Sequence, residues 1–234
     1  MKICLISGST GSLGKSVIDK LKNDYFLINI GRSKSIDVNE NILIDFSNFN
    51  LDILKTQLDE ILSNIVEVEE INFIHSAGIY EKEKEEIVFN KELLLKTFNV
   101  NTFSYFNIVN GLVQFWKSKN VGGSVVAISS NLTKLKNKNT ASYISSKYAL
   151  VGMSESFAQS FGSLNVRFNV VSPGMFPSEL NGYSVPESFK QNSPLKRICE
   201  VEEISDLITF LISDKSKIIT AQNIIIDGGN SNGY

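Results

Sequence analysis

The chain has 234 residues, of which 42% are hydrophobic and 21% are charged, and its formal net charge at pH 7 is -2. This is ordinary globular composition, and the length suits one α/β domain that spans residues 1–234. The near-neutral charge argues against nucleic acid as the main partner, and no segment approaches the roughly 18 consecutive apolar residues of a membrane span.

Apolar, strand-like runs alternate with helical patterns along the chain. The predicted strands are Lys2–Ser7, Phe26–Ile30, Ile42–Ile44, Ile71–His75, Ser124–Ser129, Val166–Val171 and Asn223–Ile226. The predicted helices are Leu13–Asn23, Leu51–Ile65, Lys91–Lys117, Ala141–Phe161 and Val201–Ser213. Near-continuous apolar strands between helices indicate a parallel sheet that is covered on both faces. The predicted fold class is therefore α/β, a single-domain doubly wound parallel sheet of about seven strands with helices on both faces, although the connection from Ile30 to Ile42 is too short for a full crossover helix.

A glycine-rich segment, Ser7-Gly8-Ser9-Thr10-Gly11-Ser12-Leu13-Gly14, follows the first strand and opens the first helix. Small residues let the backbone turn tightly and approach a pyrophosphate, whose charge the helix N-terminus favours. Alone, the segment is equally compatible with a plain strand-to-helix turn. A P-loop at Gly14-Lys15-Ser16 is excluded, because that motif needs a glycine where Ser9 stands.

The end of the second strand, Ile30-Gly31-Arg32-Ser33-Lys34, bears on the choice of dinucleotide. An acidic residue there would accept hydrogen bonds from the adenine-ribose hydroxyls of NAD, and none is present. Arg32, together with Lys34, is instead suited to pair with the 2′-phosphate of NADP. We therefore expect NADP as the cofactor, with NAD as the alternative. A solvated loop carrying two cations is the competing explanation of the same residues.

Tyr143 and Lys147 stand four residues apart on a predicted helix, so they share one face. A free phenol has a pKa near ~10, and a fixed ammonium one turn away would lower that pKa and make Tyr143 a usable general acid or base. Spacing alone leaves a surface pair as the commoner explanation. Ser130 strengthens the catalytic interpretation, because it follows a predicted strand at the sheet edge where such proteins bind ligands.

At this point the chain resembles the short-chain dehydrogenase/reductase family over nearly its full length. The motifs that carry the resemblance are Ser7–Gly14, Asp45-Phe46, His75-Ser76-Ala77-Gly78, Asn99-Val100-Asn101, Ser130, Tyr143 with Lys147, Asn169-Val170-Val171-Ser172-Pro173-Gly174 followed by Ser178, Pro194-Leu195-Lys196-Arg197, Glu202-Glu203-Ile204, Phe210-Leu211 and Asp227-Gly228-Gly229. The glycine spacing is closer to the family's extended branch, and the downstream motifs are similar to its shorter, reductase-type branch.

The resemblance implies a Rossmann fold and a catalytic tetrad of Asn101, Ser130, Tyr143 and Lys147. Asn101 would kink its helix and hold a water that links Lys147 to solvent, while Lys147 would also hold the nicotinamide ribose. The cofactor-binding residues expected from the turn, from Arg32 and from the resemblance are Gly8, Ser9, Thr10, Gly11, Ser12, Leu13, Gly14, Arg32, Asp45, Phe46, Ala77, Gly78, Tyr143, Lys147, Pro173, Gly174, Phe176 and Ser178.

Two departures from the family pattern are His75, where an asparagine is usual, and Ala221, where a glycine is usual. For His75, the chain's only histidine, we favour a strand-end residue with satisfied hydrogen bonds over a catalytic role, since the tetrad already supplies the proton chemistry. A lid loop at about 175–193 should close the substrate pocket, and its aromatic residues are equally compatible with ordinary packing.

Charged loops near the expected pocket give weaker signals. Lys134, Lys136 and Lys138 could favour an anionic substrate, but a solvated basic loop is the preferred explanation. The run Glu81–Glu86 reads as an exposed mixed-charge loop. Cys4 and Cys199 are far apart and have no metal-ligand spacing, so we expect no metal and a reducing, cytoplasmic compartment.

We therefore expect an oxidoreductase that moves a hydride between a nicotinamide dinucleotide and a small-molecule carbonyl or alcohol, with Tyr143 as general acid/base. Two alternatives stay open. One is a sugar-nucleotide epimerase or dehydratase of the extended branch, and the other is a dinucleotide-binding regulator without catalytic activity. By resemblance, the chain should form a homodimer or homotetramer through the helices Lys91–Lys117 and Ala141–Phe161.

Overall fold

The computed structural model describes residues 1–84 and 90–232. The predicted loop Glu81–Glu86 therefore lies partly outside the described residues, at Glu85 and Glu86. In the described part of the chain the strands are β1 (Lys2–Ser7), β2 (Phe26–Gly31), β3 (Glu40–Leu43), β4 (Glu70–His75), β5 (Gly123–Ile128), β6 (Val166–Pro173) and β7 (Asn223–Ile226). They form one sheet in the order β3-β2-β1-β4-β5-β6-β7, and every neighbouring pair is parallel. The predicted fold class is confirmed.

Helices cover both faces of this sheet. They are α1 (Ser12–Leu21), α2 (Leu51–Ser63), α3 (Lys91–Phe98), α4 (Ser104–Ser118), α5 (Leu132–Leu135), α6 (Ala141–Phe161), α7 (Glu187–Asn192) and α8 (Val201–Ile212). One apolar core joins the sheet to α2, α4 and α6, and a second joins its other face to α1 and α8. Strands that are buried on both faces explain the near-continuous apolar runs of the sequence.

The predicted helix Lys91–Lys117 is divided by a π-helical segment at Asn99–Phe103, which separates α3 from α4. Within this segment the Asn101 side chain turns away from its own helix and bonds the backbone of Ile79 in both directions. A π-helical segment inside a helix is a frequent companion of a functional residue. The structure thus interrupts the helix at Asn101, where the resemblance implied a kink, although the sequence pattern predicted one continuous helix.

The connection between β2 and β3 contains no helix, as its length predicted. Side-chain amides hold this segment instead. The Asn29 amide donates to the Asn41 side chain at 2.8 Å and to the Ser33 carbonyl at 2.9 Å, and the Ser35 amide donates to Asn41 at 2.8 Å. The loop that carries Arg32 is thus fixed against the carboxyl end of β2.

The order of the strands changes direction at β1, whose neighbours β2 and β4 lie on opposite sides. Ser7, at the end of β1, is in register with His75, at the end of β4. In open parallel sheets the crevice beyond such a reversal is where ligands bind. In the part of the chain that is described, no helix combines the length and the apolarity that crossing a bilayer requires.

Candidate active site

A cavity of about 570 Å³ opens beyond the carboxyl ends of β1, β4 and β5. Every residue of the predicted cofactor-binding set lines this cavity, as does Ser130. Asn101 does not line it, because the residue is fully buried behind the wall that Gly78 and Ile79 form. The candidate residues from eight separate stretches of sequence therefore converge on one crevice and its back wall.

The glycine turn packs so closely that two of its positions admit no side chain. Gly8 has a φ of +73°, and a Cβ on it would lie 2.7 Å from the Ala77 nitrogen. A Cβ on Gly14 would lie 2.6 Å from the Ser9 Cα. The first contact holds the turn against the backbone that follows β4, and the second holds the start of α1 against the turn itself. Such a cradle fits a pyrophosphate at the N-terminus of α1.

A carboxylate from the lid occupies this helix terminus. The Glu179 Oε2 atom accepts hydrogen bonds from the Ser12 backbone amide at 3.0 Å and from the Ser12 hydroxyl at 2.8 Å, while the Tyr183 hydroxyl donates to Oε1 at 2.7 Å. Partial burial raises the pKa of Glu179, but the bonds from Ser12 and Tyr183 outweigh that effect and lower it to about 2. An ionised carboxylate thus lies at the position expected for the pyrophosphate.

The end of the cavity beside β2 and β3 is lined by Arg32, Asp45 and Phe46, the residues expected to meet the adenosine part of a dinucleotide. Asp45 accepts two hydrogen bonds from Ser47, and these bonds, with a smaller contribution from the charge of Arg32, lower the pKa of its carboxyl group. Lys34 is not among the described residues that line the cavity. Of the two cations considered from sequence, Arg32 is therefore the one in position to meet a phosphate in this crevice.

Tyr143 and Lys147 lie on the same face of α6 and are both buried. The Lys147 Nζ atom is 5.7 Å from the centre of the Tyr143 ring and donates a hydrogen bond to the Ile128 carbonyl at 2.8 Å. Burial lowers the pKa of Lys147 to about 8. The amine therefore loses its proton far more easily than an exposed lysine.

Burial raises the pKa of Tyr143 to about 12, and a hydrogen bond with the Ser130 side chain offsets only part of that rise. The lowering that the sequence predicted from Lys147 is therefore wrong for this structure. The amine is directed to the Ile128 carbonyl, and the loss of water around the phenol has the larger effect.

Asn101 connects three parts of the site through its amide group. Its Oδ1 atom accepts from the Ile79 amide at 2.8 Å, and its Nδ2 atom donates to the Ile79 carbonyl at 3.1 Å and to the Ser146 hydroxyl at 3.0 Å. The loop after β4 is in this way held to the helix that carries Tyr143. The predicted role of Asn101 in holding a water stays a prediction.

His75 is fully buried and satisfied at both ring nitrogens. Its Nε2 atom is 3.0 Å from the Asn101 carbonyl and its Nδ1 atom is 2.8 Å from the Ser7 hydroxyl. A carbonyl can only accept, so Nε2 carries the hydrogen and Nδ1 accepts from Ser7. Burial, assisted by the charge of Lys147, lowers the pKa of His75 to about 3. These contacts support the interpretation of His75 as a neutral, structural histidine.

The lid contributes apolar side chains to the cavity. Met175, Phe176, Leu180 and Phe189 line it, whereas Tyr183 is 61% exposed. Among the described lining residues, none comes from the basic run 134–138. Lys134, Lys136 and Lys138 are exposed, which supports the preferred interpretation of this run as a solvated basic loop, and these lysines give no support to the alternative of an anionic substrate.

Sequence reasoning missed two acidic residues of this region. Nothing in the sequence pattern distinguishes Glu179 from the rest of the lid, and the charge pattern predicted an exposed loop around Glu83. Glu83 is only 9% exposed and accepts hydrogen bonds from the backbone amides of Ala141 and Ser142 at 3.0 and 2.8 Å. Its hydrogen-bond partners are far away in the sequence, so no local pattern could have identified it.

Within residues 1–84 and 90–232, no three His, Cys, Asp or Glu side chains form a group that could hold a metal ion.

Comparison with known proteins gives matches along nearly the whole chain. A family model described as Enoyl-(Acyl carrier protein) reductase matches residues 52–231. The 3-oxoacyl-(acyl-carrier-protein) reductase FabG of Buchnera aphidicola subsp. Schizaphis graminum is 29% identical, over 97% of this chain and 96% of that protein. The trans-4-hydroxycyclohexanecarboxylate dehydrogenase of Sinomonas cyclohexanicum is 39% identical over a shorter stretch, which covers 49% of this chain and 44% of that protein.

Solved structures match the fold at similar levels of identity. The structure of 4-hydroxyisoleucine dehydrogenase complexed with NADH is 28% identical, with a TM-score of 0.87 over 100% of both chains. A short chain dehydrogenase family protein from Francisella tularensis subsp. tularensis SCHU S4 is 26% identical, with a TM-score of 0.81 over 99% of both chains.

Proposed function

The chain belongs to the short-chain dehydrogenase/reductase family, and from this premise we propose that it is an NADP-preferring reductase of a small-molecule carbonyl compound, with Tyr143 as the proton donor. The observation that carries the proposal is that Ser130, Tyr143 and Lys147 line the same crevice as the glycine cradle of α1. A reduced nicotinamide bound there would supply the hydride.

The chain's own groups would bind and protonate the substrate. The hydroxyl groups of Ser130 and Tyr143 would donate to the substrate carbonyl oxygen and meet the negative charge that develops on it. A phenol whose pKa is about 12 is fully protonated at neutral pH, which is the state that carbonyl reduction requires. Lys147 would hold the ribose hydroxyls beside this phenol and return a proton to it after each turnover, and its pKa of about 8 suits that exchange.

The preference for NADP is supported by the charge at the end of β2. Arg32 lines the crevice, and a guanidinium group pairs well with a phosphate. Asp45 lies further along the same wall, where its carboxylate could accept a hydrogen bond from the adenine. NAD is the alternative, since 4-hydroxyisoleucine dehydrogenase was solved with NADH.

For the substrate, we propose an uncharged carbonyl group on a largely apolar molecule. Met175, Phe176, Leu180 and Phe189 provide apolar surface around the lid. The FabG relatives are named for 3-oxoacyl groups, so 3-oxoacyl thioesters belong in the first assay panel together with simple ketones and aldehydes. Oxidation of NADPH that depends on a carbonyl compound would support the proposal. Tight dinucleotide binding without turnover across the panel would contradict it and favour a regulator.

We also propose that the chain self-associates through α4 and α6. Phe103 is 42% exposed beside α4, and Phe106 of that helix is 45% exposed and contacts the ring of Phe157 of α6. Apolar surface of this kind is typical of an interface. Light scattering of the purified chain should give the mass of a dimer or tetramer, and Phe106→Asp should weaken this association.

The compartment we propose is the cytoplasm, because the thiols of Cys4 and Cys199 are buried and free.

A further inference from the structure

The N-terminus of α6 is capped by a residue outside its own helix. Thr140, at the N-cap position, makes no side-chain hydrogen bond to the helix, and the first turn contains no acidic residue. The Glu83 carboxylate takes that role from the loop after β4, with Oε2 accepting from the Ala141 amide at 3.0 Å and Oε1 from the Ser142 amide at 2.8 Å. The next residue along the helix is Tyr143. Glu83 therefore binds the backbone immediately before the proposed proton donor.

The same loop is attached to this region at three further points. The Glu83 amide donates to the Asn139 carbonyl at 2.9 Å, so the residue bonds the entry of α6 through both its backbone and its side chain. The Tyr80 ring meets the Tyr143 ring edge-on, with 4.9 Å between the ring centres. Ile79, at the start of the loop, bonds the Asn101 side chain in both directions. The loop thus spans from Asn101 to the first turn of α6.

Glu83 is ionised in this position. Burial raises the pKa of its carboxyl group, but the hydrogen bonds from Ser142 and Ala141 have the larger combined effect and lower it below its ordinary value. A buried carboxylate with two backbone donors is stable at a helix N-terminus, because the helix dipole favours the negative charge there. The two hydrogen bonds and the negative charge of Glu83 both stabilise the first turn of α6.

We propose that Glu83 is a positioning residue for the reaction: it fixes the first turn of α6 and thereby sets the Tyr143 hydroxyl against Ser130 and the substrate oxygen. This inference rests on the proposed function, in which Tyr143 protonates the substrate. Glu83 is not among the described residues that line the crevice, so it would act through the helix backbone and through Tyr80. Because small displacements of a proton donor slow a reaction strongly, the effect falls on turnover rather than on binding.

The test compares Glu83→Ala, Glu83→Gln and Glu83→Asp with wild type and with Glu81→Gln, a control in the same loop whose side chain is exposed and pairs with Lys96. For each protein, kcat, the substrate KM, the dissociation constant for NADPH and the melting temperature are measured, with kinetics well below melting. We expect Glu83→Ala to lose at least about tenfold in kcat while the NADPH dissociation constant stays within about twofold. Glu83→Gln, which keeps one acceptor oxygen, should be intermediate, and added acetate or formate should restore part of the activity of Glu83→Ala.

If Glu83 only capped the helix, Glu83→Ala would lower the melting temperature and leave kcat within about twofold of wild type. That result overturns the proposal. If Glu83→Ala does not fold, the near-isosteric Glu83→Gln gives the answer by the same comparison. A wild-type enzyme that is inactive on every carbonyl tested would count against the proposed function instead. The structure of Glu83→Ala still tests the inference in that case, because a Tyr143 ring left 4.9 Å from Tyr80 in an intact first turn would refute it.

Discussion

The Lys147 amine lies 5.7 Å from the centre of the Tyr143 ring, one helical turn further along α6, and both side chains are buried against one crevice. This arrangement keeps the phenol protonated, with a pKa of about 12, and keeps the amine easy to deprotonate, with a pKa of about 8. In the proposed reaction the phenol would deliver a proton to the substrate, and the amine would replace it.

Arg32→Ala should weaken the binding of NADPH and leave NADH nearly unaffected. The guanidinium group is proposed to pair with the 2′-phosphate, which only NADPH carries, and loss of a charged hydrogen bond costs about 1.5–3 kcal/mol, or roughly tenfold or more in affinity. The measurement is the KM for each cofactor. Lys34→Ala is the matched control, since Lys34 is absent from the described lining of the crevice and its loss should have little effect. Equal losses for both cofactors in Arg32→Ala would contradict the assignment of the phosphate site.

Glu179→Gln should bind the dinucleotide more tightly than wild type. The Glu179 carboxylate bonds the Ser12 amide and hydroxyl at the start of α1, where the proposed pyrophosphate would bind, so the two negative charges compete for the same donors. Glutamine keeps an acceptor oxygen and removes the charge. We expect a gain of about fivefold in affinity, which corresponds to about 1 kcal/mol for one partly exposed charge.

Isothermal titration of NADPH at low salt measures this gain. Glu187→Gln makes the same charge change elsewhere in the lid, where Glu187 pairs with Lys190, and it should leave the affinity unchanged. Weaker binding by Glu179→Gln would mean that the carboxylate supports the bound cofactor instead of competing with it.

His75→Asn should make the protein less sensitive to mild acid. The unfolded chain takes up a proton at its single histidine below about pH 6.5, while buried His75 stays neutral down to about pH 3. Acid therefore favours the unfolded state, and the free energy of unfolding should fall as pH falls from 6.5. Asparagine cannot take up this proton, so the fall should largely disappear in the variant.

Urea unfolding measured at several pH values between about 5 and 6.5 isolates the contribution of the histidine, because ordinary carboxyl groups titrate below that range. The slope of the free energy with pH is the quantity to compare, since loss of the bonds to Ser7 and Asn101 will also lower the overall stability of the variant. Parallel slopes for the two proteins would show that His75 does not carry the acid sensitivity.

Local patterns in the sequence were sufficient for most of the fold. The bounds predicted for β1 (Lys2–Ser7), β7 (Asn223–Ile226) and α6 (Ala141–Phe161) are those observed, because apolar runs and helical periodicity are properties of neighbouring residues. The break at Asn99–Phe103 could not be predicted from periodicity. It depends on the contact between Asn101 and Ile79, which lie 22 residues apart in the sequence.

Most residues of the candidate site were also predictable from the sequence. Motifs at strand ends identified residues that do meet in one crevice, because carboxyl ends of parallel strands share one edge of the sheet. The roles of Glu83 and Glu179 were not predictable, since their partners are 58 and 167 residues away. The pKa of Tyr143 was predicted in the wrong direction, because the extent of its burial depends on the packed fold.

The two alternative functions receive less support from the site. The lid, which includes α7, and the short stretch 194–200 are what lies between the end of β6 at Pro173 and the start of α8 at Val201, which leaves little chain for the substrate region of an extended epimerase or dehydratase. A regulator without activity would not need the proton-transfer groups, yet Ser130, Tyr143 and Lys147 all line the crevice. The reductase proposal therefore stands first.

The most direct test of the account is the turnover of Tyr143→Phe with NADPH and an active carbonyl substrate. Phenylalanine keeps the ring that packs against Tyr80 and removes only the hydroxyl group. We predict that kcat falls by about 10²–10⁴-fold while the dissociation constant for NADPH stays within about twofold. A variant that retains the wild-type kcat would contradict the central claim that this phenol delivers the proton.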